Sequence, residues 1–525
     1  MKKVVLSLAL IGAMVACAPK KDANQLLTEQ AAAEYLVPVH PGNSERPFWN
    51  GFSKKFIYAP AFDFKSVEGA VNYRFTATAE DGQSWNFEAK CPQQSLAPIW
   101  NNIPQGTNVT LCVEGLNAAG EVVATVGERK FWRDYAFNPP YNGAVRSYRE
   151  AAIMGMLHVH KMPEIQHWLN STEPDMNYNH NTYPCKIIGA TIQIEVLLAK
   201  TVPSYHDAAI AIAKNAAQFL MDQARKPGDK LAYFPPTYYK DKAASKFTWN
   251  LGRTMAMEAA SAGEAYLDLY DVTGEKIYLE QAIGIANTYC NIQNEDGSWY
   301  IKYDFASGEP VNDVKAMLHP LLRYFLRLEK NYGQRQYAEA RLRGEKWMHD
   351  HILTSFDMTG QFEDVNVMGL APYQNLTNCT AAPYASYLIN RGATEQELAI
   401  AYELTRFSED QFVYWDCPVN ADGVKCDSCP CVFEQYKYQM PVDNSTCNVA
   451  HAMLDIYDQC GDELMKAKAK ALVDNITVVQ CVNTGKLLTT WRLRYNYKPT
   501  FWANCAYDSM LMLLRMESYS DNKLF

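Results

Sequence analysis

One helical hairpin occurs twice in this chain, and that repetition limits the fold more than any other feature. Between Leu251 and Trp299, small and apolar residues recur on a helical period at Met255, Ala259, Ala262, Ala265, Tyr266 and Leu269. The run turns at Asp271-Val-Thr-Gly274 and resumes through Tyr278, Ala282, Ile285, Ala286 and Tyr289. It stops at Gln293-Asn-Glu-Asp-Gly297-Ser-Trp299. Two helices around a tight glycine turn make an antiparallel hairpin. The string Leu267-Asp-Leu-Tyr-Asp271 returns 187 positions later as Leu454-Asp-Ile-Tyr-Asp458, with Gly461 for Gly274 and Gln480 for Gln293. After Gln480 the register slips by one, to Gly485, with Trp491 further on. A unit repeated in this way stacks on equivalent units.

From Val145 onward the pattern is almost entirely helical. Helices are predicted at about 145–160, 185–200, 205–224, 250–271, 275–292, 314–332, 335–352, 380–391, 394–412, 446–459, 463–480 and 502–517. Ten of them pair into five hairpins through short turns, and the last helix can pair with the first. Six antiparallel hairpins in a ring give an (α/α)6 toroid over residues 136–525. Connections within hairpins are short, whereas those between hairpins are long: 162–184, 227–249, 293–312, 352–378, 412–445 and 481–501. In an alternating ring these long loops share one face, and long loops in compact domains carry function.

A chain of 525 residues exceeds one ordinary core. Ahead of the toroid, residues 46–135 change to a period of two. Phe56-Ile-Tyr58, Val71-Asn-Tyr-Arg-Phe75 and Val109-Thr-Leu-Cys-Val113 are predicted strands separated by glycine turns, which suggests a small β-sandwich. Residues 18–45 are polar and are expected to be a tether. Residues 1–17 place Lys2-Lys3 before the apolar run Val4–Val15 and then Ala16-Cys17, the order of an export signal. With those two lysines removed, the net charge of −9 becomes −11, which argues against nucleic-acid binding.

The long loops are rich in aromatic rings: Tyr183, Tyr238, Trp249, Trp299, Tyr373, Tyr438 and Trp491. Flat rings in a cleft suit sugars, although aromatics also pin loops to a scaffold. Glycosidic hydrolysis needs two carboxyl groups, and the candidates are Glu363, Asp364, Glu434 and Asp443. Asp443 has a plainer reading as a helix cap. Arg492, His180 and His319 could grip an acidic sugar. A lyase would instead take the α-proton of a uronate with His180 or His319, helped by Tyr436 or Tyr438. Cys417, Cys426, Cys429 and Cys431 fit disulfides in an oxidising compartment better than zinc. No metal or cofactor is expected.

The Ala-Cys step resembles the lipobox of bacterial lipoproteins, which implies cleavage before Cys17, a lipid on its thiol and attachment to the cell envelope. The string Val113-Glu-Gly-Leu-Asn117 resembles fibronectin type III-like modules. Tyr-Leu-Asp-Leu-Tyr-x-x-Thr-Gly274 and Gln293-x-x-x-Gly-Ser-Trp299 resemble the six-hairpin carbohydrate-active enzymes exported by Bacteroidetes, over about residues 46–517. That group includes unsaturated glucuronyl hydrolases, β-glucuronidase-like families and polysaccharide lyases. The resemblance implies a glycan substrate, with a uronate glycoside hydrolase as the first expectation and a lyase as the second. A non-catalytic glycan-binding lipoprotein is a third.

Overall fold

The computed structural model describes residues 22–42, 48–240, 250–362, 370–416, 428–491 and 500–520. Six helices form an inner ring: α3 (Gly189–Thr201), α5 (Glu258–Thr273), α7 (His319–Tyr332), α9 (Asn378–Gly392), α11 (Asp443–Cys460) and α13 (Ala503–Glu517). Each packs against the next, and α13 returns to α3, so the ring closes. Six outer helices complete the hairpins: α2 (Tyr148–His160), α4 (His206–Gln223), α6 (Lys276–Asn291), α8 (Ala338–Trp347), α10 (Glu395–Phe412) and α12 (Glu463–Val479). The first and last of the twelve pair, α2 with α13, as expected. This is an (α/α)6 toroid. Small residues let the inner helices approach closely: Ala259, Ala262 and Ala265 of α5 are all buried. Gly274 and Gly461 end α5 and α11 in the left-handed conformation, which a glycine adopts without strain.

One predicted helix begins too early. Arg253–Met255 is strand β6, paired with β7 at Lys302–Asp304, and α5 starts only at Glu258. Met255 is buried by that pairing rather than by a helical face.

The β-region contains β1 (Lys55–Phe56), β2 (Asn72–Ala79), β3 (Ser84–Ala89), β4 (Thr107–Leu116) and β5 (Val122–Arg133). They form one sheet in the order β1-β5-β4-β2-β3. A second facing sheet, which a sandwich requires, is not formed among the described residues. Its place is taken by connecting segments: Phe62, Leu96 and Trp100 are buried with the inward residues Phe75, Leu111 and Phe131.

The stretch expected to be a tether is part of the folded body where it is described. Ala23–Glu34 is helix α1, against α12. Its apolar anchors are Ala31, Tyr35 and Val39, four residues apart, a stripe too narrow to stand out in a polar segment. Lys468 of α12, fully buried, pairs with Glu34 at 2.5 Å and Glu409 at 2.8 Å. Glu409 also accepts hydrogen bonds from Tyr35, Tyr58 and Trp415 at 2.7–3.0 Å. The sheet is docked by Asp410, whose Oδ1 accepts from the backbone N–H groups of Ile57 and Tyr58.

Candidate active site

Every inner helix begins on the face that carries the long loops, so its N-terminal dipole end points towards that face. A cavity of about 400 Å³ opens among the first turns of α3, α5, α7 and α13, lined in part by Lys186, Gln193, Glu258, Arg323, Asn504 and Asp508. Lys186, in the turn before α3, pairs with Glu258 at 3.6 Å. At the deep end Glu264 and Asp268 are held by Arg327 at 2.5 and 2.7 Å, so those carboxylates are engaged in structure.

Asp508 differs. Burial raises its carboxyl from 3.8 to about 6, although nearby Arg323 and a hydrogen bond from Asn444 act in the lowering direction. Asn448 donates to Asn444 Oδ1 at 3.0 Å, which leaves the Asn444 amide N–H₂ facing Asp508. Among the described residues, no hydrogen-bond partner reaches the buried Asn504 Oδ1 or His319 Nδ1. Of the two, Asn504 lines the cavity, and an unpartnered amide oxygen there is what a hydroxyl-rich ligand can satisfy.

An aromatic wall adjoins the cavity. His180 stacks on Trp502 with ring centroids 4.1 Å apart, and Tyr183 lies 5.2 Å from the same indole and 6.0 Å from Tyr238. The Lys186 ammonium sits 5.7 Å from the Trp502 ring centre and so links this wall to Glu258. Burial, with Lys186 as the second cause, lowers His180 to about 4. His319, the first residue of α7, is lowered to about 3 by burial and by Arg323.

The remaining candidates separate. Glu434 is half-buried on β8 (Cys431–Gln435); burial raises the Cys379 and Cys505 thiols, at the first turns of α9 and α13, and the Glu434 carboxylate adds to the rise of both, behind Asp508 for Cys505. Asp443 is 1% exposed and belongs to the core. It accepts from Trp491 Nε1 at 3.3 Å and from the Ser509 hydroxyl. Burial pushes it from 3.8 to about 7. Trp491 is thereby also a core residue. Trp299 is fully buried and donates to the Tyr289 carbonyl at 2.8 Å, so it is no sugar platform. Tyr373 closes its own loop by donating to Ser355 O at 2.7 Å. The Tyr436 hydroxyl donates to Gln411 of α10 at 2.5 Å and lies 2.8 Å from the Ser53 hydroxyl of the β-region. Tyr438 stands half-buried at the start of β9 (Tyr438–Pro441). Cys429 and Cys431 approach to 3.9 Å between sulfurs, a contact and not a disulfide. Glu363, Asp364, Trp249, Arg492, Cys17, Cys417 and Cys426 lie outside the described residues.

Sequence reasoning passed over Glu258, Arg323, Asn504 and Asp508. They lie within helices, where a charged residue is ordinarily read as solvated surface. One signal was present: Asp508 lies between Ala506 and Ser509, both buried, in a helix whose other polar residues are few.

No family model and no curated protein matches this chain. Among solved structures it is similar to a family 76 glycoside hydrolase from a bovine Bacteroides thetaiotaomicron strain, at 9% identity over 89% of this chain and 98% of that one, with a TM-score of 0.48. It is similar to an unsaturated glucuronyl hydrolase specific for heparin, at 11% identity over 71% and 96% respectively, with a TM-score of 0.45. A polysaccharide lyase is 13% identical over 87% of this chain and 63% of its own length, with a TM-score of 0.43.

Proposed function

We propose that the protein is a glycan-processing enzyme, a glycoside hydrolase for a uronic-acid-containing saccharide, with the ring cavity as its active site. One observation carries the reading: Asp508, a carboxyl group raised to about 6, shares a cavity with Glu258, a carboxylate paired to Lys186 at 3.6 Å. Two carboxyl groups in unlike environments divide into a proton donor and an ionised partner. Asp508 protonates the leaving glycosidic oxygen. Glu258 activates water or attacks the sugar carbon. Trp502 and Tyr183 supply stacking faces, and Asn504 accepts from a sugar hydroxyl.

Arg323 supports the acidic sugar. Its side chain is 68% exposed and pairs only at 4.0 Å, with Glu264, among the described residues, so the guanidinium retains donors for a uronate. His180 gives a second reading some support. Held neutral near pH 7 beside the aromatic wall, it could take the α-proton of a uronate. The purified protein, incubated with a panel of uronic-acid glycans, separates the two. A hydrolase releases reducing ends without absorbance from a 4,5-unsaturated product, and a lyase gives both. Neither signal across the panel would favour a binding protein and contradict the proposal.

We also propose that the chain is exported and held in the cell envelope by a lipid on Cys17, on the order Lys-Lys, apolar run, Ala-Cys. Cys17→Ser in a lipoprotein-competent bacterium should remain unprocessed or become soluble. Unaltered membrane fractionation would overturn the idea.

A further inference from the structure

The two carboxyl oxygens of Asp508 stand in different surroundings. Oδ2 accepts a hydrogen bond from Asn444 Nδ2, which reaches across from the first turn of α11. Among the described residues no other hydrogen bond reaches Asp508, and its Oδ1 is not sealed from solvent. Asp508 lines the central cavity, so Oδ1 is the oxygen open to a ligand there.

Asn444 is itself held in one sense. Asn448, one turn further along α11, donates its amide to Asn444 Oδ1 at 3.0 Å. That occupies the oxygen end of Asn444 and leaves its N–H₂ end for Asp508. An N–H aimed at Oδ2 opposes a proton on that atom, because two hydrogens would then meet. It also favours the carboxylate that remains after proton transfer. A group that must carry its proton on one oxygen, and release it there, has the partner it needs.

The other groups around Asp508 act through charge. Arg323 of α7 is the nearby cation. Asp443 and Cys447 of α11 and Cys505 and Tyr507 of α13 lie within the field of Asp508. Lys186, Glu258 and Glu264 line the same cavity. None of these donates a hydrogen bond to either oxygen of Asp508, so none distinguishes Oδ1 from Oδ2 by contact.

We propose that Asn444, aligned by Asn448, is a positioning residue for Asp508 and keeps the acidic proton on Oδ1, the oxygen that faces the glycosidic bond. The proposal rests on the reading of Asp508 as proton donor and adds how that proton is aimed.

The test uses the full chain with Asn444→Ala and, should that variant fold poorly, Asn448→Leu. Both side chains are half-buried, and circular dichroism checks the fold. Infrared difference spectra against Asp508→Asn, taken well below the value of about 6 at which Asp508 ionises, isolate the C=O stretch of its protonated carboxyl. With the proton on Oδ1, Oδ2 is the carbonyl oxygen that accepts from Asn444. Its stretch should therefore rise in frequency in Asn444→Ala. The titration of the same band should move up by about one pH unit, the usual effect of a lost hydrogen bond to a charged group. Turnover should drop about tenfold, as for a misplaced reacting group, and its alkaline limb should follow the titration upward. Asn448→Leu should move all three in the same direction by less. An unmoved band and titration would overturn the proposal, and so would a fall in kcat with both unmoved, the mark of a merely structural defect. A wild-type rate in Asp508→Asn would instead sink the hydrolytic reading, while the spectra would still judge which oxygen carries the proton.

Discussion

Arg327 reaches from α7 to Asp268 on α5 at 2.7 Å, and Arg515 repeats the contact from α13 to Asp455 on α11, also at 2.7 Å. Arg327 further binds Asp271 at 3.1 Å and Arg515 binds Asp458 at 2.8 Å. Tyr332 and Tyr519 donate to those same aspartates. The repeated Leu-Asp-x-Tyr-Asp string is thus a clamp joining one inner helix to the next, and it carries no chemistry of its own. Arg327→Met should cost about 3 kcal/mol in denaturant unfolding, because it strands partly buried carboxylates. Arg515→Met should cost a similar amount. A loss below about 0.5 kcal/mol in both would show that the clamp is incidental.

The outer helices are joined by the other half of the repeat. Gln293 Nε2 donates to Gly297 O at 3.0 Å and to Ala340 O at 2.9 Å, and Gln480 Nε2 donates to Gly485 O at 2.8 Å and to Ala151 O at 2.9 Å. Gly485 has φ +73, and a Cβ there would lie 2.5 Å from the Met154 carbonyl oxygen. At Gly461, φ is +75 and nothing lies within 4 Å. Gly461→Ala should therefore cost only about 1 kcal/mol, from backbone conformation alone. Gly485→Ala should cost clearly more. Equal losses in thermal unfolding would contradict the close packing.

Stability should fall with rising pH, and Asp443 is one cause. Its folded carboxyl titrates at about 7 against an ordinary 3.8. Below about 3.8 it is protonated in both states. Between there and about 7 only the unfolded chain releases the proton, so the folded state loses ground as pH rises, by at most about 1.4 kcal/mol for each pH unit. Asp443→Asn keeps an acceptor for Trp491 and reverses the Ser509 contact, its amide donating to the hydroxyl, and it should flatten the decline between pH 4 and 7. An unchanged slope in denaturant titrations at several pH values would refute this origin.

The ring was legible in sequence because hairpin turns, apolar period and the repeated strings all describe local structure. Loop lengths alone also indicated the face on which the ring cavity opens. The proposed site was not legible, since Asp508 and Glu258 come together only once α13 and α5 are brought to one cavity. Aromatic content misled in a particular way. Trp299 and Trp491 pin loops from inside, whereas Trp502, at the start of α13, stacks on His180. Sequence spacing does not distinguish an indole that faces the core from one that faces the cleft.

The most direct measurement is turnover by Asp508→Asn and Glu258→Gln, with Glu434→Gln alongside, on whichever glycan the panel reveals. Positioned acid–base groups contribute roughly 10²- to 10⁴-fold, so the first two variants should lose about that much in kcat while still binding substrate. The wild-type rate should fall as pH rises through about 6, where Asp508 gives up its proton. Near wild-type turnover in Asp508→Asn and Glu258→Gln, with the loss found in Glu434→Gln instead, would contradict the assignment of the ring cavity as the catalytic centre.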